Sequence, residues 1–188
     1  MIPYLCDVDI VDVNEKLSLH PLRSSDHARH YALLRRIYPP AFSYLWPDNG
    51  EGYVERIHGY EAFIRDLAEP DTPYYRVEWD GRAIGILRLQ LHYPYPGDPE
   101  VPALKLDRLY LGPEARGRGV GTSLLRYTLD LAGDLGKRLV WLERMESNEA
   151  TVAFYRSRGF RDGGAFRYDG PDMLDQYRGM RRLWYPLT

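Results

Sequence analysis

Apolar and polar positions change period several times along the chain, and each change marks an element. Leu17 and Leu19 alternate with polar neighbours over residues 16–22, the period-two pattern of a half-buried strand. Ser24, Ser25 and Asp26 offer helix caps, and a helical stretch follows to about Ile37, where Pro39 and Pro40 stop it. A loop over 41–52 carries Phe42, Tyr44, Trp46, Asp48 and Glu51, and a second helix is expected over 53–67. From Tyr74 the alternation returns: Tyr75, Val77 and Trp79 lead into an Asp80-Gly81 hairpin turn, and a strand over 83–91 runs back. A Pro- and Gly-rich loop precedes a strand over 104–111. A glycine-rich turn, a helix over 119–135, an apolar strand over 138–145 and a helix over 148–158 follow. Gly159 is placed to end that last helix, and the tail reads as two strands around Gly170-Pro171. The order predicts one mixed α/β domain over residues 1–188, with a strand–helix–strand crossover at its centre.

Composition narrows the setting. With 188 residues, 44% hydrophobic and 28% charged, the chain can bury one sizeable core without staples. Its one cysteine, Cys6, excludes an internal disulfide and a cysteine-built metal cage. Acidic residues interrupt the N-terminal stretch early, so it makes a poor secretory signal, and no apolar run approaches a membrane span. A cytoplasmic location without a membrane partner is expected. A formal net charge of -2 gives no electrostatic reason to expect nucleic-acid binding. His27 and His30 could share a helical face, but no third ligand is in view, and no metal is expected.

The densest chemical signal is the run LYLGPEARGRGVGTSLL from Leu109. A strand enters Gly112-Pro113, and Arg116-Gly117-Arg118-Gly119-Val120-Gly121 opens an amphipathic helix whose buried stripe is Val120, Leu124, Thr128, Leu131 and Leu135. A helix start carries unpaired N–H groups and partial positive charge, and glycines there let a pyrophosphate reach the backbone. Arg116 and Arg118 can add charge-assisted contacts. No Lys-Ser/Thr pair follows, as a P-loop would need, and the turn lies too late in the chain for a dinucleotide fold.

This run resembles the acyl-CoA-binding motif of the GNAT N-acetyltransferase superfamily in its strand, its proline, its Arg-x-x-Gly-x-Gly spacing and the helix after it. Downstream, NEATVAFYRSRGF from Asn148 is similar to the family's next motif. The resemblance implies a central twisted sheet of about six to seven strands flanked by about four helices, with acetyl-CoA as cosubstrate. It assigns Leu109 and Leu111 to the pantetheine arm, and Arg116, Gly117, Arg118, Gly119, Gly121 and Thr122 to pyrophosphate. It implies that Tyr155 protonates the departing thiolate and that Asn148 contacts the pantetheine arm or nearby backbone.

Acetyl transfer to an amine needs a neutral nucleophile, an oxyanion donor and a protonated leaving group. Asp107 is the first candidate base, because strand parity puts it on one face with Leu109 and Leu111; Glu143 and Glu146 are alternatives. A backbone N–H of Leu111 or a neighbour would polarise the thioester. Tyr44, Trp46 and Glu51, with Asp48 and Glu55, are the candidate acceptor-binding residues, since aromatics with carboxylates suit a cationic amine. Runs such as LDRLYL and WLERMESN are similar to the polyamine-type branch, although Met145 stands where that branch tends to have a tryptophan. The expected function is acetyl transfer to a primary amine of a small molecule, polyamine-like amines included. A protein or peptide N-acetyltransferase and a non-catalytic acyl-CoA sensor are the rivals, and a homodimer is allowed.

Overall fold

The computed structural model describes residues 9–187; Cys6 and the first eight residues lie outside them. A two-residue edge strand, Val11–Asp12 (β1), pairs with Leu17–Pro21 (β2), whose Leu17 and Leu19 are fully buried as their alternation requires. The turn Asp80-Gly81, with φ of 48° and 72°, joins Tyr74–Trp79 (β3) to Arg82–Gln90 (β4). Ala103–Leu111 (β5), Leu139–Met145 (β6), Arg161–Arg167 (β7) and Gly179–Pro186 (β8) complete an 8-stranded sheet of order β1-β2-β3-β4-β5-β6-β8-β7. That is one strand beyond the expected range, and the short β1 supplies it.

His27–Ile37 (α1) ends before the two prolines, which themselves open a one-turn helix, Pro39–Phe42 (α2). Proline suits a first helical position, where its missing N–H would have no partner anyway. The single helix expected over 53–67 is instead two, Glu51–His58 (α3) and Tyr60–Ala68 (α4), which raises the helix count above four. Gly59 makes the break: its ψ of 165° is extended, and a Cβ there would lie 2.4 Å from the Glu55 carbonyl oxygen. Val120–Asp134 (α5) crosses from β5 to β6, and Glu149–Arg156 (α6) leads through Gly159, at φ 88°, into β7. Helix α5 and Tyr155 of α6 pack with Leu87, Leu89, Leu104, Leu106, Val140 and Leu142. Helices α1, α3 and α4 form a second apolar cluster with Tyr74 and Ile86.

Two irregularities shape the centre. Among the described residues the only parallel pair, β5 with β6, is held at Ala103↔Leu139, Leu104↔Val140 and Lys105↔Trp141, after which the strands part. Strand β5 also bulges against β4: Arg88 pairs with Arg108 and Leu89 with Leu106, leaving Asp107 as the extra residue. The bulge resets the alternation. Leu104 and Leu106 share one cluster with Leu109 and Leu111, whereas Asp107 is bonded to Arg88, whose guanidinium lies over the Tyr74 ring of the other cluster. The parity that joined Asp107 to Leu109 and Leu111 is therefore corrected: Asp107 is itself the inserted residue, and the count of alternate residues is shifted there.

Leu124 is fully buried where α5 meets the sheet. Leu124→Ala is expected to cost about 3 kcal/mol of stability, read as a shift of the urea midpoint at unchanged slope; a shift worth less than about 1 kcal/mol would mean that the helix is not held by this face.

Candidate active site

The glycine turn has the backbone that its composition suggests. Gly117 and Gly119 adopt left-handed φ of 71° and 72°, and nothing lies within 4 Å of a Cβ built on either. Gly119 caps α5, and the first bond of the helix runs from the Ser123 N–H to the Gly119 carbonyl. Among the described residues the amides of Val120, Gly121 and Thr122 have no backbone acceptor, so they point out of the helix end as free donors. Arg116 and Arg118 are exposed beside them, Arg118 with its guanidinium 5.8 Å from the Trp79 ring. Arg158, which sequence reasoning passed over, donates to the Thr122 hydroxyl at 2.7 Å and to the Phe154 carbonyl at 2.8 Å. It adds a third cation to this helix end.

From the turn, β5 runs toward the cleft with the edge beyond Lys105 no longer paired to β6. A cavity of about 210 Å³ opens where the two strands part. Asp107 and Leu109 line it from β5, Glu143 from β6, and Asn148 and Tyr155 from the second motif. Tyr155 is buried, packed edge-on against Phe154 and Phe160, and no side chain or carbonyl among the described residues bonds its hydroxyl. Burial raises its pKa above the ordinary phenol value, so the proton is retained. Asn148 caps α6 by accepting from the Thr151 N–H at 3.1 Å.

The candidate carboxylates all carry partners. Asp107 meets Arg88 at 2.5 Å, with Arg108 at 3.6 Å and Lys105 at 3.8 Å. Glu143 meets Lys105 at 3.1 Å and Arg182 at 3.2 Å. Glu146 lies off the cavity, bonded to Arg181 at 3.0 Å. Of the loop between α1 and α3, Trp46 lines the cavity. Tyr44 is exposed and shares a hydrogen bond with the Ser147 hydroxyl, and Glu51 sits on a separate surface groove with Tyr31 and Arg35. Asp48 accepts from the Gly50 and Gly52 amides, and Glu55 from the Tyr31 hydroxyl. Asp48 and Glu55 thus have partners of their own, and Glu51 lies away from the cavity.

The cavity wall beside α1 and α3 is aromatic: Tyr38, Phe42, Tyr53, Tyr110 and Tyr168 join Trp46. One cue was legible, because Tyr110 sits between Leu109 and Leu111 and so must face the opposite side of the sheet. Behind this wall the buried His30 and His58 bond each other at 3.3 Å, with the Tyr74 hydroxyl beside both. Burial, then the Arg108 charge, holds His30 down to about 3 and pushes His58 well below its usual value, so both rings are neutral. Among the described residues no group of three or more His, Cys, Asp or Glu could hold a metal, and no helix is long and apolar enough to cross a membrane.

Set beside known proteins, residues 30–160 match the sequence model of the acetyltransferase (GNAT) family. An uncharacterized N-acetyltransferase of Lactobacillus delbrueckii subsp. lactis is 26% identical over 81% of this chain and 83% of its own length. The N-alpha-acetyltransferase RimI of Mycobacterium tuberculosis is 34% identical over 62% of this chain and 72% of its own. In fold, the chain is similar to the PaiA N-acetyltransferase of Thermoplasma acidophilum in complex with coenzyme A, with a TM-score of 0.67 and 17% identity over 91% of this chain and 99% of that one.

The neutral histidines make stability depend on pH. Between about 6.5 and about 3 the unfolded imidazole binds a proton that folded His30 refuses, so the unfolded state gains protons as pH falls and the fold weakens. Unfolding free energy should drop between pH 7 and pH 5.5 by up to about 1.4 kcal/mol per pH unit for each histidine, and His30→Gln should flatten that slope. An unchanged slope in the variant would show that His30 is not the group responsible.

Proposed function

The chain belongs to the GNAT acetyltransferase family, and from that premise we propose that it transfers the acetyl group of acetyl-CoA to a primary amine of a small molecule. The observation that carries the reading is the continuity of three features: free amides at Val120, Gly121 and Thr122, the open edge of β5, and a cavity that Tyr155 enters. A pyrophosphate fits at the turn because neither Gly117 nor Gly119 puts an atom in the way, and Arg116, Arg118 and Arg158 supply cations. The coenzyme A held by the fold relative from Thermoplasma acidophilum supports the choice of anion. The pantetheine arm then runs along Leu109 and Leu111 with Asn148 opposite, placing the thioester at the cavity.

The amine nitrogen attacks the acyl carbon, and a backbone N–H on the open edge of β5 stabilises the oxyanion. As the C–N bond completes, the C–S bond breaks and Tyr155 gives its proton to the leaving sulfur. A buried phenol is a weak acid, but the thiolate forms in the same dry cavity, where burial raises its proton affinity as well. The amine proton leaves through Asp107 or Glu143, the two carboxylates that line the cavity, or through water. One observation favours a second reading: the relative from Mycobacterium tuberculosis is an N-alpha-acetyltransferase, so a protein N-terminus is the rival acceptor.

Thiol release from acetyl-CoA, measured against amines, amino acids and short peptides, tests the reading. Turnover with small amines supports it, turnover confined to peptides selects the rival, and tight binding without turnover would identify a sensor. Gly119→Glu sets a carboxylate at the phosphate site and strains a left-handed position by about 1–2 kcal/mol. Coenzyme A affinity should fall at least about tenfold, and unchanged affinity by calorimetry would remove the cofactor assignment. Tyr155→Phe should lower kcat by about a hundredfold with coenzyme A affinity nearly intact; wild-type turnover would return Tyr155 to the core.

A further inference from the structure

A ligand carrying two or three ammonium groups needs carboxylates with charge to spare, and this cavity has none. Its lining acids are both paired within the protein, Asp107 with Arg88, Arg108 and Lys105, and Glu143 with Lys105 and Arg182. Its lining cations match them in number: Arg108 lies against Asp107, while Arg144 donates to the carbonyls of Met145 and Asn148 at 2.6 and 3.3 Å and meets no carboxylate within the described residues. Trp46 and Tyr53 already have a cation over them, the Arg56 guanidinium at 5.8 Å from each ring.

What the cavity offers in quantity is flat apolar surface. Tyr38 stacks on Tyr53 at 4.7 Å and 14°, Tyr53 meets Trp46 at 4.8 Å, and Phe42 and Tyr38 tilt against Tyr110 at 5.6 Å. The polar tips of these rings satisfy one another: Tyr53 and Tyr110 share a bond of 3.0 Å, and the Trp46 N–H donates to the Tyr38 hydroxyl at 2.9 Å. Met145, Met173 and Met180 fill the remaining wall with soft, adaptable side chains. The cavity, of about 210 Å³, is of a size for a small acceptor such as one ring on a short arm.

We infer that the acceptor is a monoamine carried on an aromatic ring by a short alkyl arm, an arylalkylamine. The inference rests on the acetyl-transfer reading for the place of the thioester. The ring stacks within the aromatic wall, and the arm brings a single nitrogen to the point where β5 and β6 part. With one charge, lost on acylation, such an amine asks for no spare carboxylate.

The test compares 2-phenylethylamine, n-propylamine and spermidine, first as binders to the protein saturated with coenzyme A, then as acceptors with acetyl-CoA. Phenylethylamine should exceed each of the others at least tenfold in affinity and in kcat/KM. Phe42→Leu, which keeps an apolar side chain but removes a ring, should shrink its advantage over propylamine to threefold or less. Spermidine as the equal or better acceptor would overturn the inference and leave acetyl transfer standing. Phenylethylamine bound tightly, with no thiol released from acetyl-CoA, would overturn acetyl transfer and with it the assignment of this amine as the acceptor. No binding by any of the three, or an undiminished advantage in Phe42→Leu, would also overturn it.

Discussion

The parting of β5 from β6 after three register pairs is the constraint on which the rest of the molecule depends. Two parallel strands at the centre of a sheet would ordinarily stay paired, because each lost ladder bond leaves a donor or acceptor that needs another partner. Here β6 keeps its full register with β8, from Leu139↔Pro186 to Met145↔Met180, and β5 keeps its own with β4 through Leu111. The sheet therefore opens along one seam only. The free edge of β5 leads from the glycine turn to the cavity, and the helices on the two faces close the gap from either side. A continuous sheet would leave neither the edge nor the cavity.

The bulge at Asp107 is fixed by charge as well as by backbone. Arg88, almost wholly buried, is paired with Asp107, Asp66 and Glu69, and Arg108 is paired with Asp66. Asp66 lies on α4 and Glu69 ends it, so these pairs tie that helix to β4 and β5 beside the bulge. A buried pair adds little to stability compared with an apolar core, but removing one partner strands a charge at a cost of about 3–5 kcal/mol. Such a cluster sets register more than it adds stability. It also explains the histidines behind the aromatic wall. Buried beside a guanidinium, His30 and His58 cannot afford a further positive charge, and the wall stays neutral.

How much of this could be read from the chain follows from the range of each signal. Local signals were faithful: the Asp80-Gly81 turn and the Gly159 stop each depend on a few neighbouring residues. The break at Gly59 was missed because the apolar periodicity of α3 and α4 runs on across it, and the close approach to the Glu55 carbonyl is visible only in three dimensions. The bulge at Asp107 was missed for a related reason. Alternation assumes one residue per step, and the extra residue shows only against the partner strand. The acceptor wall was the least legible part. Tyr38, Tyr53, Tyr110 and Tyr168 come from four separate segments; of the acids near Trp46, Asp48 is taken up by the Gly50 and Gly52 amides and Glu55 by Tyr31, and Glu51 faces a separate groove.

That contrast follows from how each half of the site recognises its ligand. In the proposed reading, an anion on the side of α5 and α6 would be met by backbone amides at a helix end, which requires small residues at fixed spacing and leaves most neighbouring side chains free to vary. A short motif is therefore enough to announce it. On the side of α1 and α3, recognition is by side chains that reach one cavity from distant parts of the sequence, and no spacing rule connects them. The donor half can be kept while the acceptor half is rebuilt by substitutions in the loop and helices over residues 38–58. The bulge and its arginines hold the two sides of the cavity in register at the seam, so in the proposed reading a changed aromatic wall need not disturb where the thioester would lie.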